Sequence, residues 1–151
     1  MTSETALLDT NVLIYAANDS SPFHKAAVAL RDKGLRGELS LCITPQVLHE
    51  FYANVTNPKQ IESPFTQAEA RLEMEKYFHS GRILKIHPQL DTELTVLDFL
   101  KRYNVVRQEI YDLQIVATML SNGIRRIYTY NADDFSKYPD IEVLTPDAVL
   151  G

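Results

Sequence analysis

Five short strand-like runs recur along the chain, several of them apolar without the in-and-out alternation of a half-exposed strand: "ALL" (6–8), "ELSLCIT" (38–44), "RILKIH" (82–87), "RRIYTYN" (125–131) and "IEVLTP" (141–146). Between them lie segments with helical spacing and end signals. These are 11–17; 21–34, with Ser21 as cap, Pro22 in the first turn and Gly34 as stop; 44–58, with Thr44 as cap, Pro45 at the first position and Pro58 past the end; and 63–81, where Thr66 and Glu69 form a capping box and Gly81 closes the helix. Two more follow, 89–105 and 110–123, the second ended by Asn122-Gly123. Strands alternating with helices predict an α/β fold in three layers, α/β/α, around a central, mainly parallel sheet of four to five strands. Functional groups in such a sheet gather at the carboxyl ends of the strands.

The 151 residues make up one domain's worth of chain, and a single domain over 1–151 is expected. One cysteine, Cys42, sits in an apolar run and can form no internal disulfide, which fits a buried small hydrophobe in a reducing compartment and predicts a cytoplasmic protein. No basic, apolar leader opens the chain and no window is long and apolar enough for a membrane span, so no membrane partner is expected and the two N-x-[ST] matches at 18–20 and 54–56 read as chance. A net charge of −5 argues against holding a polyphosphate by bulk positive potential. If the chain binds nucleic acid, metal ions must help.

Acids mark the strand ends. Asp9 ends the first run, in "LLDTNVLIYA", where an N-cap is the plain alternative. Glu50 flanks the apolar stripe Val47, Phe51, Val55 of the helix after the second strand, where a solvated surface acid is the alternative. Asp112 shares a helix face with Ile115, Val116 and Met119, a costly place for a carboxylate unless something compensates it; a helix cap is its alternative. Asn131, Asp133 and Asp134 follow the fourth strand in a turn-like stretch, where turn chemistry alone favours Asn and Asp. These elements converge on one sheet edge. Several carboxylates there repel one another unless divalent cations neutralise them, and Mg²⁺ is held by a few carboxylates together with water and phosphate oxygens. A metal site for phosphate chemistry follows.

Other chemistries fit less well. His49-Glu50 would begin a zinc-protease motif, but Ala53 stands where its second histidine belongs. The glycines form neither G-x-G-x-x-G nor a P-loop, no G-x-S-x-G occurs, and the four histidines lack metal-ligand spacing. An Asp-nucleophile phosphatase would want a second Asp two residues after Asp9, where Asn11 stands.

The segments "LLDTNVLIYA", "ITPQVLHEFY", "IYDLQIVATML" and "IYTYNADDF", in that order and spanning residues 5–146, resemble PIN-domain ribonucleases, particularly the toxin-like VapC-type members. The resemblance implies a PIN-like parallel-sheet fold and an endoribonuclease dependent on Mg²⁺ or Mn²⁺, with RNA as substrate. It also implies a homodimer and an antitoxin protein as partner. Asp9, Glu50 and Asp112 fall on the family's first three acidic positions. The fourth is open between Asn131, Asp133 and Asp134; Asp134 is preferred, with Asn131 orienting. The implied metal ligands are Asp9, Asp112 and Asp134, and Thr10 and Thr129 match small hydroxyl positions that orient the acids. Arg107, Arg125 and Arg126 are the candidate phosphate contacts, although an arginine so placed is more often an ordinary solvated charge. A non-catalytic PIN-fold binding module is the alternative of a different class.

Overall fold

The computed structural model describes residues 4–149, so residues 1–3 and 150–151 of the expected domain lie outside the described residues. Five strands, β1 (Ala6–Leu8), β2 (Leu41–Ile43), β3 (Ile83–Lys85), β4 (Arg126–Tyr128) and β5 (Glu142–Leu144), form one sheet in the order β3-β2-β1-β4-β5. Every pairing is parallel, with Leu7 opposite Cys42 and Ile127, and Leu8 opposite Tyr128. β1 and β2 are buried throughout, whereas the edge strands β3 and β5 expose Leu84 and Glu142. The strands that read as unbroken apolar runs are therefore the inner ones, covered on both faces.

The helices are α1 (Thr10–Ala17), α2 (His24–Leu35), α3 (Pro45–Val55), α4 (Gln67–Phe78), α5 (Thr92–Arg102) and α6 (Glu109–Ser121). α1 packs on α2 and α3, α3 on α4, and α5 on α6. The chain moves from β1 outward to β3 through α1–α4, then returns past β1 to β4 through α5 and α6. Right-handed crossovers place these two groups on opposite faces of the sheet. The strand order reverses between β1 and β4, which opens a crevice at their carboxyl ends.

Local signals set the ends of α3 and α4. The Thr44 hydroxyl accepts from the Val47 amide at 3.0 Å with Pro45 in the first turn, and Thr66 and Glu69 form the reciprocal capping box. α2 differs from the sequence reading. The Ser21 hydroxyl caps a turn through the Phe23 amide, and the helix begins only at His24. Gly34 is no helix stop but an interior residue: a Cβ there would lie 2.4 Å from Leu41 Cδ1, so glycine is what lets α2 approach β2. The left-handed turn after α2 is made by Gly37 (φ +77°), and that after α6 by Gly123 (φ +74°); Gly81 plays no such part. α6 starts at Glu109, which puts Asp112 in the fourth helical position, and the cap position belongs to Gln108.

Val47, Leu48, Phe51 and Val55 of α3 are all buried, while α4 leaves Leu72 and Phe78 exposed. α5 exposes Leu94, Leu97 and Leu100 as well.

Candidate active site

Asp9 follows β1 directly, its amide donating to the Tyr128 carbonyl of β4 at 3.0 Å, so the sheet itself fixes where this side chain starts. It caps α1, and its Oδ1 accepts the Thr10 amide at 2.8 Å. Its Oδ2 accepts the Thr129 hydroxyl at 2.8 Å and the Asn11 side-chain amide at 3.2 Å. The carboxyl is buried. Burial raises its pKa above the ordinary carboxylate value, opposed by the Thr129 hydroxyl and the Thr10 amide and reinforced by the charges of Glu50 and Asp134.

Thr129, fully buried just past β4, is a hub: besides donating to Asp9 it accepts the Asn131 amide at 2.9 Å and the Asn11 side-chain amide at 3.1 Å. Asn11 completes the latch by accepting the Tyr130 amide at 3.1 Å. Sequence reasoning used Asn11 only to exclude a phosphatase. Its place two residues after the strand-end acid was the available signal, and its bonds to residues 118 and 119 positions away were not visible in it.

Glu50 projects from α3, half-buried, with Oε1 accepting the Thr10 hydroxyl at 3.0 Å and Oε2 the Gln46 side-chain amide at 3.2 Å. The same Gln46 nitrogen also donates to the Tyr111 carbonyl at 3.2 Å and ties α3 to α6. Asp112, on α6, shares its face with the buried Ile115, Val116 and Met119. Its pKa is pushed up to about 7, first by burial and then by the charges of Asp134, Asp9, Glu50 and Glu109.

After β4 a single 3₁₀ turn, Ala132–Asp134, carries the remaining acids. Phe135 and Tyr138, both buried, pin the following segment into the core. Asp134 is thereby held at the rim of the cleft with Asn131, while Asp133 is exposed and does not line it.

The cleft has a volume of about 400 Å³ and brings together Asp9, Glu50, Asp112 and Asp134, with Thr10, Asn11 and Asn131 on its walls. No lysine or arginine lines it. The structure does not bring the three arginines to it. Arg126 opens β4 at its amino end and pairs with Glu142 at 3.0 Å, and Arg125 beside it reaches the Asp140 carbonyl at 3.5 Å. Arg107 is exposed in the turn before α6, in the left-handed region at φ +53°.

Four carboxylates around one small volume, with no cation among the lining side chains, suit a hard divalent cation. The donors are all oxygen; burial first, and then the charges of the neighbouring acids, raise the pKa values of Asp9 and Asp112, and a bound ion would offset both. Among the described residues no three His, Cys, Asp or Glu side chains are already drawn to coordinating distance of one point.

Comparison with known proteins agrees with this geometry. Ribonuclease VapC24 of Mycobacterium tuberculosis is 28% identical over 142 residues, covering 92% of this chain and 94% of its own. The crystal structure of Mycobacterium tuberculosis VapC20, described as a sarcin–ricin loop cleaving toxin, superposes with a TM-score of 0.64 at 17% identity, covering 88% of this chain and 95% of that one. A toxin–antitoxin complex from Klebsiella pneumoniae gives 0.61 at 20% identity, covering 93% and 97%. The model of the PIN domain family matches residues 6–141, nearly the whole of the chain, and with the parallel five-stranded sheet and the acids at its carboxyl edge it shows that the chain belongs to the PIN domain family.

Proposed function

We propose that this protein, as one nuclease domain over residues 1–151, is a divalent-metal-dependent endoribonuclease and the toxin of a toxin–antitoxin pair. The observation that carries the reading is the convergence of Asp9, Glu50, Asp112 and Asp134, from four separate elements, into one cleft without a basic side chain. With its net charge of −5, such a surface repels an RNA phosphate until a cation intervenes. Asp9, Asp112 and Asp134 would hold Mg²⁺ or Mn²⁺, and a bound ion supplies a water of lowered pKa and a counter-charge for the phosphoryl oxygens. The chain's own side chains position. Thr129, Thr10 and Asn11 lock the Asp9 carboxyl from both oxygens. Thr10 and Gln46 hold the two oxygens of Glu50 in the same way, where Glu50 lines the cleft. Asn131 and Asp134 complete the rim. Thr10 and Thr129 thus act through the acids they touch.

The relatives support the activity by their names, ribonuclease and toxin, and the partner by a solved toxin–antitoxin complex. Exposed leucines on α4 and α5 support a homodimer as well as an antitoxin partner. No helix among the described residues is long and apolar enough to cross a membrane, and Cys42 is buried as a thiol, which supports a cytoplasmic site of action.

The test is cleavage of single-stranded RNA by purified protein with Mg²⁺ or Mn²⁺, with EDTA, and with Asp9→Asn. Cleavage should require the ion and fall at least about a hundredfold in the variant, with Glu50→Gln nearly as severe. RNA binding without cleavage under every condition would favour the binding-module alternative. Cleavage indifferent to both EDTA and Asp9→Asn would refute the site.

A further inference from the structure

We propose that the cavity between α3 and α6, beside the acidic cleft, is a nucleobase subsite that selects the nucleotide next to the scissile phosphate; the proposal rests on the ribonuclease reading and deepens it. The cavity has a volume of about 490 Å³, ample for a base and its ribose. It adjoins the acids in two ways. Glu50 lines both spaces, and Tyr111 on its wall is the chain neighbour of Asp112 in the cleft. A strand whose phosphate lies at the acids therefore presents an adjacent nucleotide to this cavity.

Its chemistry is that of a base site and not of a phosphate site. Among the described residues no lysine or arginine lines it; the walls are largely apolar, built from Pro45, Ala53 and Pro88, and Glu50 is the one carboxylate among them, at the junction. Tyr111 is 54% exposed, and with His49 it offers flat faces for stacking. Two carboxamides supply edges for recognition. Both N–H groups of Gln46 are committed, to Glu50 and to the Tyr111 carbonyl, so Gln46 presents only an acceptor oxygen. Gln114 is exposed on the opposite wall and presents donor and acceptor together, positioned by a helix turn that the Thr118 hydroxyl braces at the Gln114 carbonyl, 2.9 Å away. Apolar walls, ring faces and a few amide groups are what an unstacked base of single-stranded RNA requires.

Sequencing the ends left by the wild-type protein on a randomised RNA pool should reveal one position beside the scissile bond with a marked nucleotide preference. Gln114→Ala should flatten that preference by about tenfold, the scale of one lost base-edge hydrogen bond. Ala53→Leu, a helix-compatible change at an exposed position, should narrow the cavity and move the preference toward smaller bases. A wild-type pattern without preference overturns the proposal, and so do variants that cleave more slowly with the pattern unchanged. If the wild type cleaves no RNA, the ribonuclease reading fails on its own and the cavity is judged separately. The four nucleosides, which carry no phosphate for the acids, are then titrated in EDTA while the side-chain amide NMR signals of Gln46 and Gln114 are followed. Shifts of those two signals uphold the cavity as a base site; no shift at millimolar nucleoside overturns it.

Discussion

Asp112→Asn should make the metal-free protein more stable, although it removes a side chain from the centre of the proposed active site. In the folded chain the Asp112 carboxyl is pushed up to about 7 from 3.8, so the fold favours its protonated form and is penalised by its charge. The native state then binds more protons than the unfolded state between those two values, and stability falls as pH rises from about 4 through about 7. A gap of about 3 pH units corresponds to roughly 4 kcal/mol at most. Asp112 is only half-buried, and solvent screening cuts this to about 1–2 kcal/mol. Asparagine keeps the shape and loses the charge, so in EDTA at pH 8 the variant should melt about 3–6 °C above wild type, and the advantage should shrink by about 1 kcal/mol on going to pH 5. Urea unfolding at the two pH values, with EDTA throughout, measures it. Adding Mg²⁺ at ten to one hundred times its dissociation constant should stabilise wild type by roughly 1.4–2.7 kcal/mol and the variant by little. A variant that melts lower at both pH values, by the roughly 1 kcal/mol that a lost favourable carboxylate near a helix start would cost, and that responds to Mg²⁺ as wild type does, would refute the reasoning.

Three further outcomes follow from the packing. Thr129→Val should cost about 1–3 kcal/mol in urea unfolding, because it strips the buried Asp9 carboxyl of a 2.8 Å hydrogen bond and leaves the Asn131 amide without its acceptor; a loss under about 0.5 kcal/mol would show that the latch carries no energy. Gly34→Ala should also destabilise, by about 1 kcal/mol or more, since the new methyl falls 2.4 Å from Leu41 Cδ1 and the gain in helix propensity cannot offset that overlap; a higher melting temperature would count against the close α2–β2 approach. Light scattering at micromolar concentration should give the mass of a dimer, and Leu94→Glu or Leu72→Glu should shift it to monomer if the exposed apolar faces of α5 or α4 form the contact; a monomer mass for wild type would remove the dimer.

Much of the fold was legible because its signals are short-range. The Thr44–Pro45 start and the Thr66–Glu69 box are complete within four residues, and helices with such ends, alternating with apolar runs, leave few topologies besides a parallel sheet. The role of Gly34 is not legible locally because the reason for it lies on β2, at Leu41. The leucines of α5 passed unnoticed since periodicity marks an apolar face without saying whether the core reaches it. The acids themselves could be placed from the strand ends, but what orients them could not: Asn11, Gln46 and Thr129 act across gaps of tens of residues, and the preference for Asp134 over Asp133 at the cleft depends on Phe135 and Tyr138 anchoring the turn.

The geometry of Asp9 accommodates both readings of "LLDTNVLIYA", the cap that is present and the ligand that is proposed. As a cap it spends Oδ1 on the first amide of α1, and that bond, with the one from Thr129, is among the few influences holding its pKa down against burial and the charges of Glu50 and Asp134. The cap therefore favours the ionised carboxylate, the form a cation would meet, against the effect of burial. A residue that only ended a strand and began a helix would need no threonine 120 positions away to hold its second oxygen. Both bonds are present, so at this one position the start of α1 and the chemistry proposed for the cleft draw on the same two oxygens, and Asp9→Asn should therefore cost activity far more than it costs the helix, since asparagine remains a good cap.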